Sequence, residues 1–277
     1  MPLVPWVLAS LDLSSVGAAV EIGSADGRFT LPLARALAEQ EQLGERGPVV
    51  HAVDRDMAAL QRLRALADGD KLSIVTKCTT LPDSTVEANN SIDLVLAPFV
   101  LHQLRPLQAE EVLGDVRGWL RPPGSLVVVS YGARHMRETY DWLAEALSRT
   151  GLAPQEARER ADQLERSRTR RPGFALAGAV GTVGRHFDSL TFRRFDDQLR
   201  APVNAVEELV GPVLIREGRR QGDISASVLQ PALASVLTSQ ATDGLLTLSV
   251  DIGLVTAANP RQCSLPRVNA GRPRAQR

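Results

Sequence analysis

Cysteine is scarce in this chain: Cys78 and Cys263 are the whole complement among 277 residues, too few for a disulfide framework or a four-cysteine zinc site. A reducing cytoplasm is therefore the expected setting. Aromatic residues make up only 4%, which leaves little material for a base-stacking platform. No apolar run approaches the roughly 20 residues of a membrane span. The apolar start from Met1 to Leu13 has neither a basic leading segment nor a small-residue cleavage site, so the reading is of a soluble, unprocessed protein. No H-E-x-x-H, paired-cysteine or repeated carboxylate cluster points to a metal, and none is expected. An excess of one charge is missing too, since 32 basic residues meet 32 acidic ones; that argues against the strong phosphate attraction of non-specific nucleic-acid binders.

What is there describes a globular α/β protein. With 44% apolar and 23% charged residues, the chain is long enough to bury a full core without staples. From Ala18 onward, short apolar runs alternate with helical patterns, as in βαβ units around a parallel sheet. Strands are expected at Ala19–Ile22, Val49–Val53, Leu72–Thr76, Ile92–Ala97 and Ser125–Ser130. Between the first two, Phe29, Leu33 and Leu37 recur four apart and mark the buried face of a helix. The next helix is expected to turn Met57, Leu60, Leu63 and Leu66 inward, and a helix over Ala109–Leu120 ends at a Pro-Pro-Gly turn, 122–124. The expected architecture is a doubly wound, seven-stranded, mostly parallel sheet with an antiparallel C-terminal strand and a helical insertion after strand five.

The second half reads differently. Residues 131–189 carry helical patterns, including the mixed-charge run Glu156–Arg171, and form the expected insertion or lid. Leu190–Phe195 and Leu245–Ala257 read as strands, and Val203–Val210 and Ser227–Leu237 as helices. One domain is expected over 1–260. The stretch from Pro260 to Arg277 holds five arginines and no acid and is expected to be a disordered basic tail. Without those arginines the body carries 27 bases against 32 acids, so any nucleic-acid contact would rest on the tail.

The segment Val20-Glu21-Ile22-Gly23-Ser24-Ala25-Asp26-Gly27 joins the first strand to its helix. A glycine-bearing turn there lets a ligand approach the backbone and exposes helix N-terminal N–H groups. A nicotinamide dinucleotide fingerprint would need G-x-G-x-x-G, and Ala25 and Arg28 break it. The segment instead resembles motif one of the class I S-adenosylmethionine-dependent methyltransferases, an acid followed by G-x-G-x-G, with Ala25 as the one departure. Asp54, closing the second strand, matches the acid that in this family accepts hydrogen bonds from both cofactor ribose hydroxyls; an aspartate here could equally cap the next helix. Leu81-Pro82, the Ile92–Ala97 strand and Leu120-Arg121-Pro122-Pro123-Gly124 resemble further family segments in the right order.

The resemblance implies S-adenosyl-L-methionine as cofactor, held by Glu21, Gly23, Ser24, Ala25, Gly27, Asp54, Arg55, Cys78, Thr79 and Ala97. Where relatives often carry an aspartate that reads the adenine amino group, this chain has Lys77, which has no acceptor; apolar contacts, the backbone of Cys78, or Thr79 would then substitute. Only 20 residues precede Glu21, so Trp6 offers at most a partial cover and 131–189 is the expected closure. Methyl transfer from a sulfonium needs chiefly proximity and orientation, and a base only where the acceptor must lose a proton. His102 and His135 are the candidate bases, His135 with Tyr131 and Tyr140 nearby in sequence.

Nucleic-acid amino methylation in this fold uses Asp/Asn-Pro-Pro-aromatic after strand four, whereas Ala97-Pro98-Phe99-Val100 stands here. The expectation is a methyltransferase acting on a small biosynthetic molecule by direct displacement, with no membrane or nucleic-acid partner and with a homodimer or partner chain open. A catalytically inactive cofactor-binding or assembly partner is the alternative, and a protein or RNA methyltransferase a further one.

Overall fold

The computed structural model of the chain describes residues 2–40, 47–83, 87–169, 176–222 and 224–261. Seven strands form one sheet: β1 (Ala18–Ile22), β2 (Val49–Asp54), β3 (Ile74–Cys78), β4 (Ile92–Pro98), β5 (Leu120–Tyr131), β6 (Phe187–Pro202) and β7 (Leu245–Pro260), in spatial order β3-β2-β1-β4-β5-β7-β6. The ladders among β1 to β5 are parallel, and β7 runs antiparallel to both β5 and β6. The expected seven-stranded, mostly parallel α/β sheet with one antiparallel C-terminal strand is therefore what the chain forms.

Helices α1 (Leu3–Leu8), α2 (Thr30–Ala38) and α3 (Met57–Gly69) precede β1, β2 and β3 in turn, and α4 (Pro106–Trp119) precedes β5. Strand alternation divides the apolar residues between two faces. Val20 and Ile22 of β1, with Leu126 and Val128 of β5, pack under Val112, Val116 and Trp119 of α4 and under Ala179 and Val183 of α7 (Leu176–Val183). Ala19, Leu94, Leu96, Val127 and Val129 point the other way, toward Val7 of α1 and Leu33 and Leu37 of α2. Phe29, Leu33 and Leu37 are buried as expected.

Four further helices, α5 (Glu138–Arg149), α6 (Pro154–Thr169), α8 (Val203–Gly222) and α9 (Ala226–Gln240), share a separate apolar cluster with Leu246 and Leu248 of β7. Sequence reading assigns the insertion to 131–189 alone. Here α7 of that stretch packs on the sheet, and α8 and α9, from between β6 and β7, join α5 and α6 instead. The mixed-charge run forms most of α6: Ala157, Ala161 and Leu164 are buried, while Arg158 pairs with Asp141 and Asp162 along the outside.

Several expectations are corrected. Met57 and Leu66 are 54% and 53% exposed, because nine residues at about 100° each put them on opposite sides of α3; Ala59, Leu60, Leu63 and Ala67 form its buried face. Strand β3 starts two residues late. Leu72 donates its N–H to Ala67 O (2.9 Å), following Lys71 at φ 55°, so its main chain closes the end of α3. The Pro-Pro-Gly segment lies inside β5, where Leu120 pairs with Ile92 and Ser125 with Leu94, so an extra stretch bulges opposite Asp93. Helices α8 and α9 run through Pro212 and Pro231, and β6 and β7 extend well beyond their expected ends. Pro260 belongs to β7 and Arg261 donates its N–H to His186 O (2.9 Å), which removes both from the expected tail; the rest of that tail, with Cys263, lies outside the described residues. Trp6 packs on Phe195 of β6, ring centroids 5.3 Å apart, rather than over the loop after β1. No helix among the described residues is long and apolar enough to cross a membrane.

Candidate active site

Parallel strands end together, and a cleft opens where the loops after β1 and β4 diverge to opposite sides of the sheet. It has a volume of about 450 Å³ and is lined by residues from the ends of β1, β2, β3 and β4 and the start of α4. Its floor is the turn after β1. Gly23 and Gly27 adopt φ 75° and 89°, the left-handed region open to glycine. A Cβ on Gly23 would come within 2.4 Å of Val100 Cγ2, and one on Gly27 within 2.4 Å of Leu63 Cδ1.

Ala25 stands between them at φ 46°, where a side chain costs about 1–2 kcal/mol. Ala25→Gly is expected to raise the melting temperature by about 2–4 °C, read by calorimetry; an unchanged or lower value would show that the turn does not strain Ala25.

Asp54 organises the cleft. Its Oδ2 accepts the Ala25 N–H (2.8 Å) and its Oδ1 the Asp56 N–H (2.9 Å), while its carbonyl accepts the Thr79 N–H (2.9 Å). Three loops thus meet at one residue. The N-cap of α3 is Asp56, whose Oδ1 accepts from Ala58 and Ala59, so Asp54 is not the capping residue. Each oxygen of a carboxylate has two lone pairs, and one on each remains available toward the cleft.

Glu21 lies elsewhere. It is buried in β1 and accepts a hydrogen bond from Thr30 Oγ1 of α2. Burial pushes its carboxyl up to about 8, against the Thr30 hydrogen bond and with a smaller push from Asp54. Of the other sequence candidates, Gly23, Ala25, Asp54, Arg55 and Thr79 line the cleft. Ser24 is buried in the turn, its hydroxyl without a partner; Gly27 packs against Leu63; Cys78 is exposed, its thiol 3.6 Å from Arg55 O; Ala97 is buried in the sheet core.

Sequence reasoning missed the wall after β4, where Pro98, Phe99, Val100, Gln103, Leu104 and Gln108 line the cleft. It also missed Asp83, whose Oδ2 accepts from Thr79 Oγ1 (2.8 Å). That carboxylate stands beside Thr79 on the side of the cleft where Lys77 replaces the expected acid.

The two candidate bases are far apart in sequence but flank one ring. His135 stacks on Tyr131 (centroids 4.5 Å, 24°), Phe99 stacks on Tyr131 as well (4.6 Å, 25°), and His102 meets Tyr131 edge-on at 5.2 Å. Phe99 brings this aromatic group to the cleft wall. Tyr140 is instead buried among the α5 to α9 helices. His135 Nδ1 accepts the Asp251 N–H over a long 3.4 Å, which puts the proton of its neutral ring on Nε2. Asp251 itself is buried: Arg194 binds it through Nε and Nη2 (both 2.7 Å), and the Arg134 N–H donates to Oδ2 (2.9 Å). Burial raises its pKa, but the Arg194 and Arg134 bonds outweigh it and hold the carboxyl below the usual range. A glycine is required beside it, because a Cβ on Gly132 would lie 2.0 Å from Asp251 Oδ1.

Among the described residues no group of three or more His, Cys, Asp and Glu could hold a metal ion. The chain fits an adenosyl ligand better. It offers a glycine cradle, the orphaned Ser24 hydroxyl and an acceptor at Asp54, with the Ala25 methyl as the one intrusion.

Residues 20–126 match a family model described as a methyltransferase domain. No curated protein matches the chain. Among solved structures, a protein of Bacillus halodurans C-125 described as a methyltransferase superposes with a TM-score of 0.55 at 11% identity, covering 94% of this chain and 99% of its own. The YcgJ protein of Bacillus subtilis gives 0.54 at 10%, covering 94% and 98%. A structure reported for conversion of a disulfide bond into a thioacetal group in echinomycin biosynthesis gives 0.51 at 14%, covering 93% and 81%. At such identities the likeness is one of fold.

Proposed function

We propose that the chain, whose residues 20–126 match a methyltransferase-domain model, is a class I, Rossmann-like S-adenosylmethionine-dependent methyltransferase that transfers the methyl group to a small-molecule acceptor. The cofactor supplies an activated methyl on a sulfonium. Asp54 receives the ribose hydroxyls, because its two N–H bonds fix the carboxylate before the ligand arrives. Gly23 leaves room for the ligand against the backbone. Thr79 with Asp83 offers acceptors for an amino group in place of the acid missing at 77.

The observation that carries the acceptor reading is the ring group beside the cleft wall, Phe99, Tyr131, His135 and His102. Rings of this kind bind a flat or apolar acceptor and exclude water. His135, with its proton on Nε2, is a donor that orients the acceptor rather than a base. His102 is the residue for accepting a proton where the acceptor must lose one.

Calorimetric titration with S-adenosylhomocysteine tests the cofactor reading. Asp54→Asn is expected to weaken binding by on the order of 10-fold to 100-fold, as the loss of hydrogen bonds to a charged acceptor does. No binding by the wild type would overturn the enzyme reading in favour of an inactive assembly partner, the alternative that the strained Ala25 and Lys77 motivate. With binding secured, transfer of a labelled methyl group to a metabolite extract, and none to protein or RNA, is the expected result.

A further inference from the structure

Strand β6 is the edge of the sheet, and among the described residues no strand pairs with its outer side. It is 16 residues long, its centre is largely exposed, and Phe192 is 70% exposed. Such an edge is a template for another strand. Its sequence around Phe195 is Arg193-Arg194-Phe195-Asp196-Asp197, two cations and two anions placed with opposite sign at equal distance from one residue. In an antiparallel pair of identical strands, outward-facing positions must oppose outward-facing ones. A two-fold axis must therefore fall on a residue, not between two.

An axis at Arg194 opposes Arg194 to itself, and one at Asp196 opposes Asp196 to itself. An axis at Phe195 opposes Arg193 to Asp197 and Arg194 to Asp196, twice each. We infer that a second copy of this chain docks on β6, antiparallel about Phe195, to make one sheet continuous through two protomers.

The two charge pairs lie on opposite faces of the sheet. Arg193 shares its face with Phe195 and donates to Ser10 Oγ, two residues past α1 (3.2 Å). On that face Phe195 of each copy is buried beside its own Trp6 and flanks the axis. Arg194 and Asp196 lie on the other face, where Arg194 is already held by Asp251 and Asp196 by Arg134 (2.8 Å). Arg193 and Asp197, both exposed, have the Ser10 hydroxyl and the Gln198 N–H (2.8 Å on Asp197 Oδ1) as their hydrogen-bond partners, whereas Arg194 and Asp196 are already in ion pairs, so the specificity of the contact rests on Arg193 and Asp197. The symmetric, self-complementary form of the surface is that of an isologous dimer.

Charge reversal tests this with the full chain. The wild type is expected to sediment as a dimer whose dissociation constant rises with salt. Arg193→Asp and Asp197→Arg, each placing like charges opposite one another, are each expected to weaken self-association by on the order of 10-fold or more. Mixing the two variants is expected to give a heterodimer, and the double variant R193D/D197R to recover the homodimer. A monomeric wild type at 100 μM, an order-of-magnitude choice above micromolar affinities, would overturn the inference, as would single variants that dimerise unchanged or a mixture that does not associate. Circular dichroism of each variant separates lost association from lost folding.

Discussion

Between pH 5 and pH 9 the wild-type protein is expected to lose about 4 kcal/mol of stability that a Glu21→Gln variant keeps. Glu21 is buried in β1, and its carboxyl titrates near 8 rather than at the ordinary 4.5. Across that window the folded state holds a proton that the unfolded state has released. The stabilisation is complete below 4.5 and drains away as the pH rises through 8, at up to about 1.4 kcal/mol per unit. Glutamine keeps the acceptor for Thr30 Oγ1 and cannot ionise. Urea denaturation at pH 5, 7 and 9 reads the difference directly; parallel curves for the two proteins would show that Glu21 ionises as freely as an exposed acid. The same burial bears on the site. A neutral Glu21 puts no second negative charge behind Asp54, so the residue that most resembles a ligand contact in sequence acts by staying uncharged in β1.

Asp251→Ala is expected to lower stability by about 2–3 kcal/mol, or about 4–10 °C in melting temperature. The figure stays below that of a fully buried ion pair because the Arg194 side chain is 44% exposed and rehydrates once freed. The loss comes from the Arg134 N–H and one guanidinium face left without an acceptor. The linkage has the opposite sign to that of Glu21: a carboxyl held below its usual range stabilises at neutral pH and ceases to do so as the pH falls through its folded value. The variant separates two roles as well. Cofactor affinity should stay within about twofold, since Asp251 lies outside the cleft, while turnover with acceptor falls because the segment between Gly132 and His135 loses the Arg134 N–H bond to Asp251 Oδ2 and keeps only the main-chain bonds at its two ends. A shift under 2 °C in melting temperature, or equal losses in both functions, would contradict this assignment.

The sheet is legible because β1, β2 and β4 are mainly apolar, broken inside only by Glu21, His51 and Asp93, and β5 holds the run Leu126–Val129, while the family motifs around Gly23, Asp54 and Leu81 mark the order of these elements along the chain. Period errors explain the misses. Met57 and Leu66 were three-spaced neighbours of true core positions, and a three-residue step slips about 60° against the helix. Leu72 looks like a strand residue but serves α3 instead. Of the site, the turn after β1 and Asp54 are local and can be read directly. The full ring group cannot, because Tyr131 and His135 are neighbours after β5 but Phe99 and His102 follow β4 and reach them only through the parallel pairing of β4 and β5. Asp251, whose N–H reaches His135, arrives from more than a hundred residues away across β7.

The hairpin of β6 and β7 runs on past β5, whose pairing with β7 covers only Ile252 to Ala257. Helices α8 and α9 sit at its far end, and α5 is tied to it by the Met136 N–H on Ser249 O (2.8 Å) and by Glu138 on the Ser249 N–H (3.0 Å). Four helices with a core of their own are thus carried on one ribbon. Their amide protons can exchange with solvent through an opening that breaks this cluster alone and leaves the sheet's protection intact, so breathing of these four helices need not disturb the turn after β1.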